Sequence, residues 1–208
     1  MKTADFSLPP LPPGLDRLRE EAKAGLDPTA SDETLALLLA AARMRGAEHI
    51  LEIGTAEGLT SVALLSECPS ARLVTVENDP ERHARALQNL ARFGVAARAE
   101  AVLEDAAEFL PSLSGPFELI FLDGPKAQYI RYLPHLKRLL APRGVLFADD
   151  VLLYGWVDGR TAPPLKRRSI AERLREYLAA VQADPDFLTC VFDAGEGAAV
   201  SVLSNLKK

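Results

Sequence analysis

The chain is predicted to fold as an α/β protein: a mostly parallel sheet covered by helices on both faces, with an antiparallel end. Three observations predict this. Between residues 49 and 148, short apolar runs that end in glycine or an acid alternate with helix-spaced stretches. The spacing suits right-handed crossovers, which require a parallel sheet with buried faces. After a last long helical stretch, the loop Asp193-Ala194-Gly195-Glu196-Gly197 joins two strand-like runs in the manner of a hairpin.

In chain order, the first fourteen residues read as an extended arm carrying Pro9, Pro10, Pro12 and Pro13. A short amphipathic helix follows with Leu15, Leu18 and Ala22 on one face. A longer helix runs to about Met44, with Ser31 or Asp32 as its N-cap. Residues 49–53 form the first strand, and helical spacing resumes after Gly58. The second strand is 72–76, followed by a helix over 80–93. The third is 98–103, followed by Asp105 and a short helix. The fourth is 117–122, with a helix over 128–140 behind it. Pro142-Arg143-Gly144 makes a turn into a fifth strand, 145–148. A helix over 165–183 then leads to the strands 187–192 and 198–203. No linker or repeat divides the chain, so residues 1–208 read as one domain, with 1–30 as an arm and short helix.

Composition narrows the function classes. A chain of 208 residues and 22.5 kDa, 48% hydrophobic and 25% charged, is an ordinary globule rather than a disordered or fibrous chain. Its apolar runs break well short of a membrane span, and its first residues do not form a secretory signal. Two cysteines, Cys68 and Cys190, are too few for a disulfide scaffold or a cysteine-built zinc site, which points to the cytoplasm. A net charge of −5 means that a nucleic-acid partner would need a local basic patch.

Ligands of an open α/β sheet bind beyond the carboxyl ends of its strands. Those ends are acidic here: Glu52, Glu77, Asp105, Asp123, and the pair Asp149-Asp150. Any one of them reads equally as a helix cap or a solvated turn. Together they mark a site. Glu52-Ile53-Gly54-Thr55-Ala56-Glu57-Gly58 places small residues where a tight turn lets a ligand approach the backbone. Glu77 lies 23 residues beyond Gly54, where an acid can accept hydrogen bonds from ribose hydroxyls. No lysine follows Gly58, so this is not a P-loop, and the pattern suits a nucleoside without a pyrophosphate.

The set Glu52-Ile53-Gly54-x-x-x-Gly58, Glu77, Glu104-Asp105-Ala106 and Leu122-Asp123 resembles the class I S-adenosylmethionine (SAM)-dependent methyltransferases. The segments ILEIGTAEGLTS, TVENDPER, FLDGPKAQY and ADDVLLYGWV resemble, more narrowly, the metal-dependent O-methyltransferases of the catechol and caffeoyl-coenzyme A type. Within them the chain looks most like the bacterial branch that contains the tRNA wobble 5-hydroxyuridine methyltransferase. The likeness covers residues 27–203 and implies a Rossmann-like sheet of seven strands with the last antiparallel.

By position, the resemblance implies that Glu52, Gly54, Thr55, Gly58 and Thr60 surround the methionine part and adenosine of the donor. It places Glu77 on the ribose, and Asp105 and Ala106 at the adenine edge. It also implies that Asp123, Asp149 and Asp150 hold a divalent cation; carboxylate oxygens suit Mg²⁺, Mn²⁺ or Ca²⁺. The family usually has Asn where this chain has Asp150. A third carboxylate would bind a dication more tightly while neutralising more of its charge; the other reading makes Asp149-Asp150 a turn beside the sheet. Lys126 matches the family's general base, and an amine beside a cation is expected to have its pKa pushed down.

His49, His83 and His135 read as packing or surface residues. Tyr129, Tyr154 and Trp156 flank the site and could stack on a flat acceptor, half-buried packing being the default. Arg160, Lys166, Arg167, Arg168, Arg173 and Arg175 surround a single acid, Glu172. Such a run is either a solvated helix face or a phosphate-contacting edge. Three acceptor classes follow: a tRNA wobble hydroxyuridine first, then a small catechol, phenol or coenzyme A-linked phenol, then no acceptor at all in a nucleoside-binding module. The resemblance also implies a homodimer.

Overall fold

The computed structural model describes residues 8–24 and 29–204. The first half of the proline-rich arm therefore lies outside the described residues. Fourteen regular elements follow in the order α1 (Leu15–Ala24), α2 (Asp32–Arg45), β1 (His49–Ile53), α3 (Leu59–Glu67), β2 (Arg72–Glu77), α4 (Pro80–Arg92), β3 (Ala99–Leu103), α5 (Ala106–Ser112), β4 (Phe117–Leu122), α6 (Tyr129–Leu139), β5 (Leu140–Ala148), α7 (Arg168–Ala183), β6 (Phe187–Phe192) and β7 (Ala198–Leu203).

The strands form one sheet in the order β3-β2-β1-β4-β5-β7-β6. All neighbouring pairs from β3 to β5 are parallel, and β7 runs antiparallel to both β5 and β6. Strand order reverses between β1 and β4, which opens a crevice at their carboxyl ends.

Side chains alternate across the sheet with a period of two. Leu119, Phe121, Val145 and Phe147 face a core shared with α1, α2 and α3. Ile120, Leu122, Leu146 and Ala148 face the opposite core under α5, α6 and α7. Both faces are dry, which is why the strands read as nearly continuous apolar runs. On α1 the buried residues are Leu15, Leu18 and Ala22, the predicted face. Ser31 caps α2 by accepting the Thr34 N–H at 3.1 Å.

Two boundaries differ from expectation by three residues or more. The fifth strand starts at Leu140, because Leu140 pairs with Phe117 before a register shift that absorbs the Pro142-Arg143-Gly144 bend. The last helix starts at Arg168; Leu165–Arg167 form a 3-10 turn directly after Pro163-Pro164.

One side chain closes the end of α3. The Arg98 guanidinium donates to the carbonyls of Leu65 (2.7 Å), Cys68 (3.1 Å) and Ala71 (3.0 Å), groups left without helical partners. Arg98→Ala is expected to lower unfolding free energy by about 2 kcal/mol in urea titrations. An unchanged midpoint would mean that water replaces the guanidinium without loss.

Candidate active site

The carboxyl ends of β1 to β5 open onto a cavity of about 640 Å³. Gly54, Glu77, Asp105, Ala106, Asp123, Lys126, Asp149, Asp150 and Tyr154 line it. Those nine residues, predicted from separate parts of the chain, thus share one crevice.

The first crossover builds its floor. Gly54 has φ +99°, and a Cβ there would stand 2.6 Å from the Asp123 carbonyl oxygen, so only glycine lets β1 and β4 end this close together. Glu52 does not reach the cavity. It is fully buried behind the wall, where its Oε2 accepts from Thr75 Oγ1 at 2.7 Å and from the Ser61 hydroxyl. Because Thr75 donates to Glu52, Thr55 must donate to Thr75, 2.6 Å away, which locks the turn from below. Thr55, Gly58 and Thr60 thus support the turn and stand outside the cavity lining; Gly58 starts α3 at φ +82°.

Glu52 Oε1 is buried with no hydrogen-bond partner. Burial above all, helped by Asp123 and Glu77, pushes the Glu52 carboxyl up to about 7 against the donated bonds of Ser61 and Thr75. The fold therefore keeps a proton that the unfolded chain has already released. Stability from this group is present below the ordinary carboxylate range and is lost as pH rises to about 7. Glu52→Gln is expected to be more stable than wild type at pH 8, by an amount on the order of 2 kcal/mol in unfolding free energy. The gain should vanish toward pH 4. A gain of the same size at both pH values would rule out titration of Glu52 as its source.

Glu77 accepts the backbone N–H groups of Ala56 (2.9 Å), Asn78 (2.9 Å) and Asp79 (3.0 Å). Of about four acceptor positions on a carboxylate, three are thus taken by backbone N–H groups. The residue holds the first turn in place and lines the cavity. Asp105 caps α5 by accepting the Ala107 N–H at 2.8 Å, so its carboxylate does structural work at the cavity edge.

The opposite wall carries the acids of β4 and β5. Lys126 Nζ lies 2.5 Å from Asp123 Oδ1, 3.1 Å from Asp150 Oδ2 and 3.1 Å from the Tyr129 hydroxyl. Burial favours the neutral amine, but Asp123, Tyr129 and Asp150 outweigh it and hold the ammonium well above its ordinary pKa. The downward shift expected from the sequence belongs to an amine beside a cation; here the amine faces the carboxylates of Asp123 and Asp150. Burial, then Asp123 and Asp150, push Asp149 up to about 8. Asp149 accepts from Thr34 Oγ1 at 3.2 Å and from the Asp150 N–H at 2.8 Å. Asp150 has φ +56°, a backbone state that Asp and Asn both tolerate, so Asp at this position leaves the turn intact.

These three carboxylates are hard oxygen donors, gathered where burial first, and Asp123 and Asp150 after it, push Asp149 up. Their chemistry fits a hard dication. Among the described residues, however, no three acidic, histidine or cysteine side chains already form a metal cage. Lys126 holds Asp123 and Asp150 in its place and would compete with a cation for them.

Tyr129 is fully buried and cannot stack on an acceptor. Tyr154 is exposed and lines the cavity, backed by Trp156 with ring centroids 5.0 Å apart; Trp156 itself does not line it. The basic run does not form an edge of the cavity. Arg160 is bound to Asp158 and doubly to Asp193, Arg175 donates to the carbonyls of Val157 and Trp156, and Arg173 pairs with Glu176. Lys166, Arg167 and Arg168 are exposed and stand outside the lining. Sequence reasoning missed Ser31, Thr34, Arg82, Tyr132 and Glu196, which complete the walls.

Among the described residues, no helix is long and apolar enough to cross a membrane. A protein-family model described as a methyltransferase domain matches residues 51–151. The chain is 32% identical over 167 residues to a catechol O-methyltransferase of Mycobacterium tuberculosis, covering 71% of this chain and 76% of that one. Solved structures that share its fold include two methyltransferases with a bound donor or its product. The O-methyltransferase TomG from Streptomyces achromogenes, in complex with SAM, aligns with TM-score 0.82 and 26% identity over 93% of this chain and 90% of that one. The methyltransferase PaMTH1 of Podospora anserina, bound to S-adenosylhomocysteine (SAH), aligns with TM-score 0.84 and 25% identity over 93% and 89%. The acid-tipped crevice at the strand reversal and these likenesses agree: the chain belongs to the class I SAM-dependent O-methyltransferases of the catechol/caffeoyl-coenzyme A type.

Proposed function

We propose that this enzyme methylates a hydroxyl of a small catechol or phenol. The observation that carries the reading is the charge of the cavity. Among the described residues, seven acids line it, Glu77, Glu104, Asp105, Asp123, Asp149, Asp150 and Glu196, against two bases, Arg82 and Lys126. A polyanion such as tRNA or a coenzyme A thioester would have to bring phosphates toward that rim, where like charges repel. The arginines that would offset this are engaged elsewhere or stand outside the lining. A neutral aromatic ring meets no such penalty, and Tyr154 offers it an exposed face.

SAM would lie along the Gly54 turn with its ribose against Glu77, and it supplies an electrophilic methyl group. Asp123, Asp149 and Asp150 would hold a divalent cation, whose chemistry is to make the acceptor hydroxyl more acidic. Charge drawn from Asp123 and Asp150 in this way would lower the pKa of Lys126 toward the range of a working base. The Lys126 amine then takes the hydroxyl proton while the acceptor oxygen bonds to the methyl carbon. The electron pair of the broken bond stays on sulfur. Most of the acceleration comes from holding the two partners in line.

The test uses purified protein with methyl-labelled SAM and Mg²⁺, offered catechol or bulk tRNA that carries 5-hydroxyuridine at its wobble position. Mono-methylated catechol and unlabelled tRNA are the expected products. Methylated hydroxyuridine with no catechol product would overturn the small-acceptor reading and assign a role to Lys166, Arg167 and Arg168. Turnover of catechol that survives exhaustive chelation would remove the cation and leave the acceptor class standing.

A further inference from the structure

The geometry points to Tyr129 as the positioning residue of the transfer step: its hydroxyl fixes the Lys126 nitrogen from below and ties together the two strand ends that carry the acids. The inference rests on Lys126 as the proton acceptor.

Tyr129 opens α6, is fully buried and does not line the cavity. Its hydroxyl lies 2.9 Å from the Leu122 carbonyl, at the end of β4, and 3.1 Å from the Asp149 carbonyl, just beyond β5. A phenol has one proton, and these two carbonyls can only accept it. What remains for Lys126 Nζ, 3.1 Å away, is a lone pair. The polarity of the contact is therefore fixed: Tyr129 accepts and Lys126 donates.

That polarity matters because lysine carries its nitrogen on a long flexible stem. The ammonium has three N–H donors, and the structure supplies three acceptors, Asp123, Asp150 and Tyr129. Two of these are charged and would be drawn toward a cation. Tyr129 is neutral and has no such competitor, so its hold persists when the carboxylates turn elsewhere. With one N–H committed to the buried phenol, the nitrogen stays at the cavity wall that Lys126 lines, where an acceptor hydroxyl would arrive. Tyr129 never touches that hydroxyl.

Tyr129→Phe removes the hydroxyl and keeps the ring, so the edge-to-face packing on Tyr177, 5.5 Å between centroids, is retained. With catechol as acceptor, kcat is expected to fall about 10- to 100-fold. KM for SAM and for catechol should stay within about twofold of wild type. Made in a Lys126→Ala background, the same change should cost nothing further. Losses that multiply in the double variant would make Tyr129 a structural residue only and overturn the inference. Wild-type kcat in Tyr129→Phe beside a collapsed Lys126→Ala would overturn it too, while leaving Lys126 as the base. Wild-type turnover in Lys126→Ala would instead overturn the reading on which it rests. Tyr177→Phe is the control, since the Tyr177 hydroxyl is buried without a hydrogen-bond partner and its removal should leave kcat unchanged.

A second measurement needs no acceptor. The Nζ–H signal of Lys126 in nitrogen-edited NMR, assigned by its loss in Lys126→Ala, should exchange with solvent about tenfold faster in Tyr129→Phe. Equal exchange rates would show that the phenol does not hold the nitrogen.

Discussion

Lys126→Ala is expected to lower turnover by about 10²- to 10⁴-fold while SAM binds as tightly as in wild type. The split follows from where the residue stands. In the proposed arrangement the donor's ribose would meet Glu77, which three backbone N–H groups fix at the first turn, and none of those bonds involves Lys126. Lys126 stands on the other wall, between Asp123 and Asp150. On the proposed mechanism its loss would remove the proton acceptor and leave the donor's contacts intact. Lys126→Arg separates charge from proton transfer. A guanidinium would still pair with both carboxylates, but it cannot be deprotonated in a protein, so it should fail to restore turnover. Calorimetric titration with SAM and single-turnover methyl transfer are the two readouts. Wild-type turnover in Lys126→Ala would remove the residue as base; recovery by arginine would show that its charge, and not its proton, is what the reaction uses.

Much of this site was legible in the sequence because of one property of parallel sheets. Every strand points its carboxyl end the same way, so the residue after each apolar run must come to a common rim. Glu77, Asp105, Asp123, Asp149 and Asp150 could be listed before any contact was known, and all five line the cavity. The alternation of dry strands and amphipathic helices likewise carried the order of elements. What could not be read is contact across the chain. Thr34 reaches Asp149 over 115 residues, and the sequence around it shows only a helix cap. Arg160 looked like a free cation because the carboxylate that holds it, Asp193, lies 33 residues later in the hairpin loop. Glu52 sits in the motif, yet strand alternation turns it inward to Ser61 and Thr75. Tyr129 flanks the site as expected and is fully buried, a packing role that spacing along a helix leaves open because it does not say which neighbour buries a side chain.

Gly54→Ala is expected to cost about 2–5 kcal/mol of stability and to depress activity further than the folded fraction accounts for. Two penalties add. At φ +99° the backbone is in a region that glycine enters freely and L side chains rarely adopt. The new methyl would also stand 2.6 Å from the Asp123 carbonyl oxygen and 2.9 Å from its carbon, and neither can swing aside as a side chain could. The Asp123 backbone is itself tied to β1 through the bond from its N–H to the Ile53 carbonyl at 2.9 Å. Relief must therefore come from parting the ends of β1 and β4, which displaces Asp123 and with it Lys126. Gly46 provides the comparison. It too has positive φ, at +62°, but nothing lies within 4 Å of its would-be Cβ, so Gly46→Ala pays for the backbone state alone. Urea unfolding of both variants, with methyl transfer measured below the transition, separates the terms. If Gly54→Ala were no less stable and no less active than Gly46→Ala, the close approach of β1 and β4 would have no part in holding the acids at the rim.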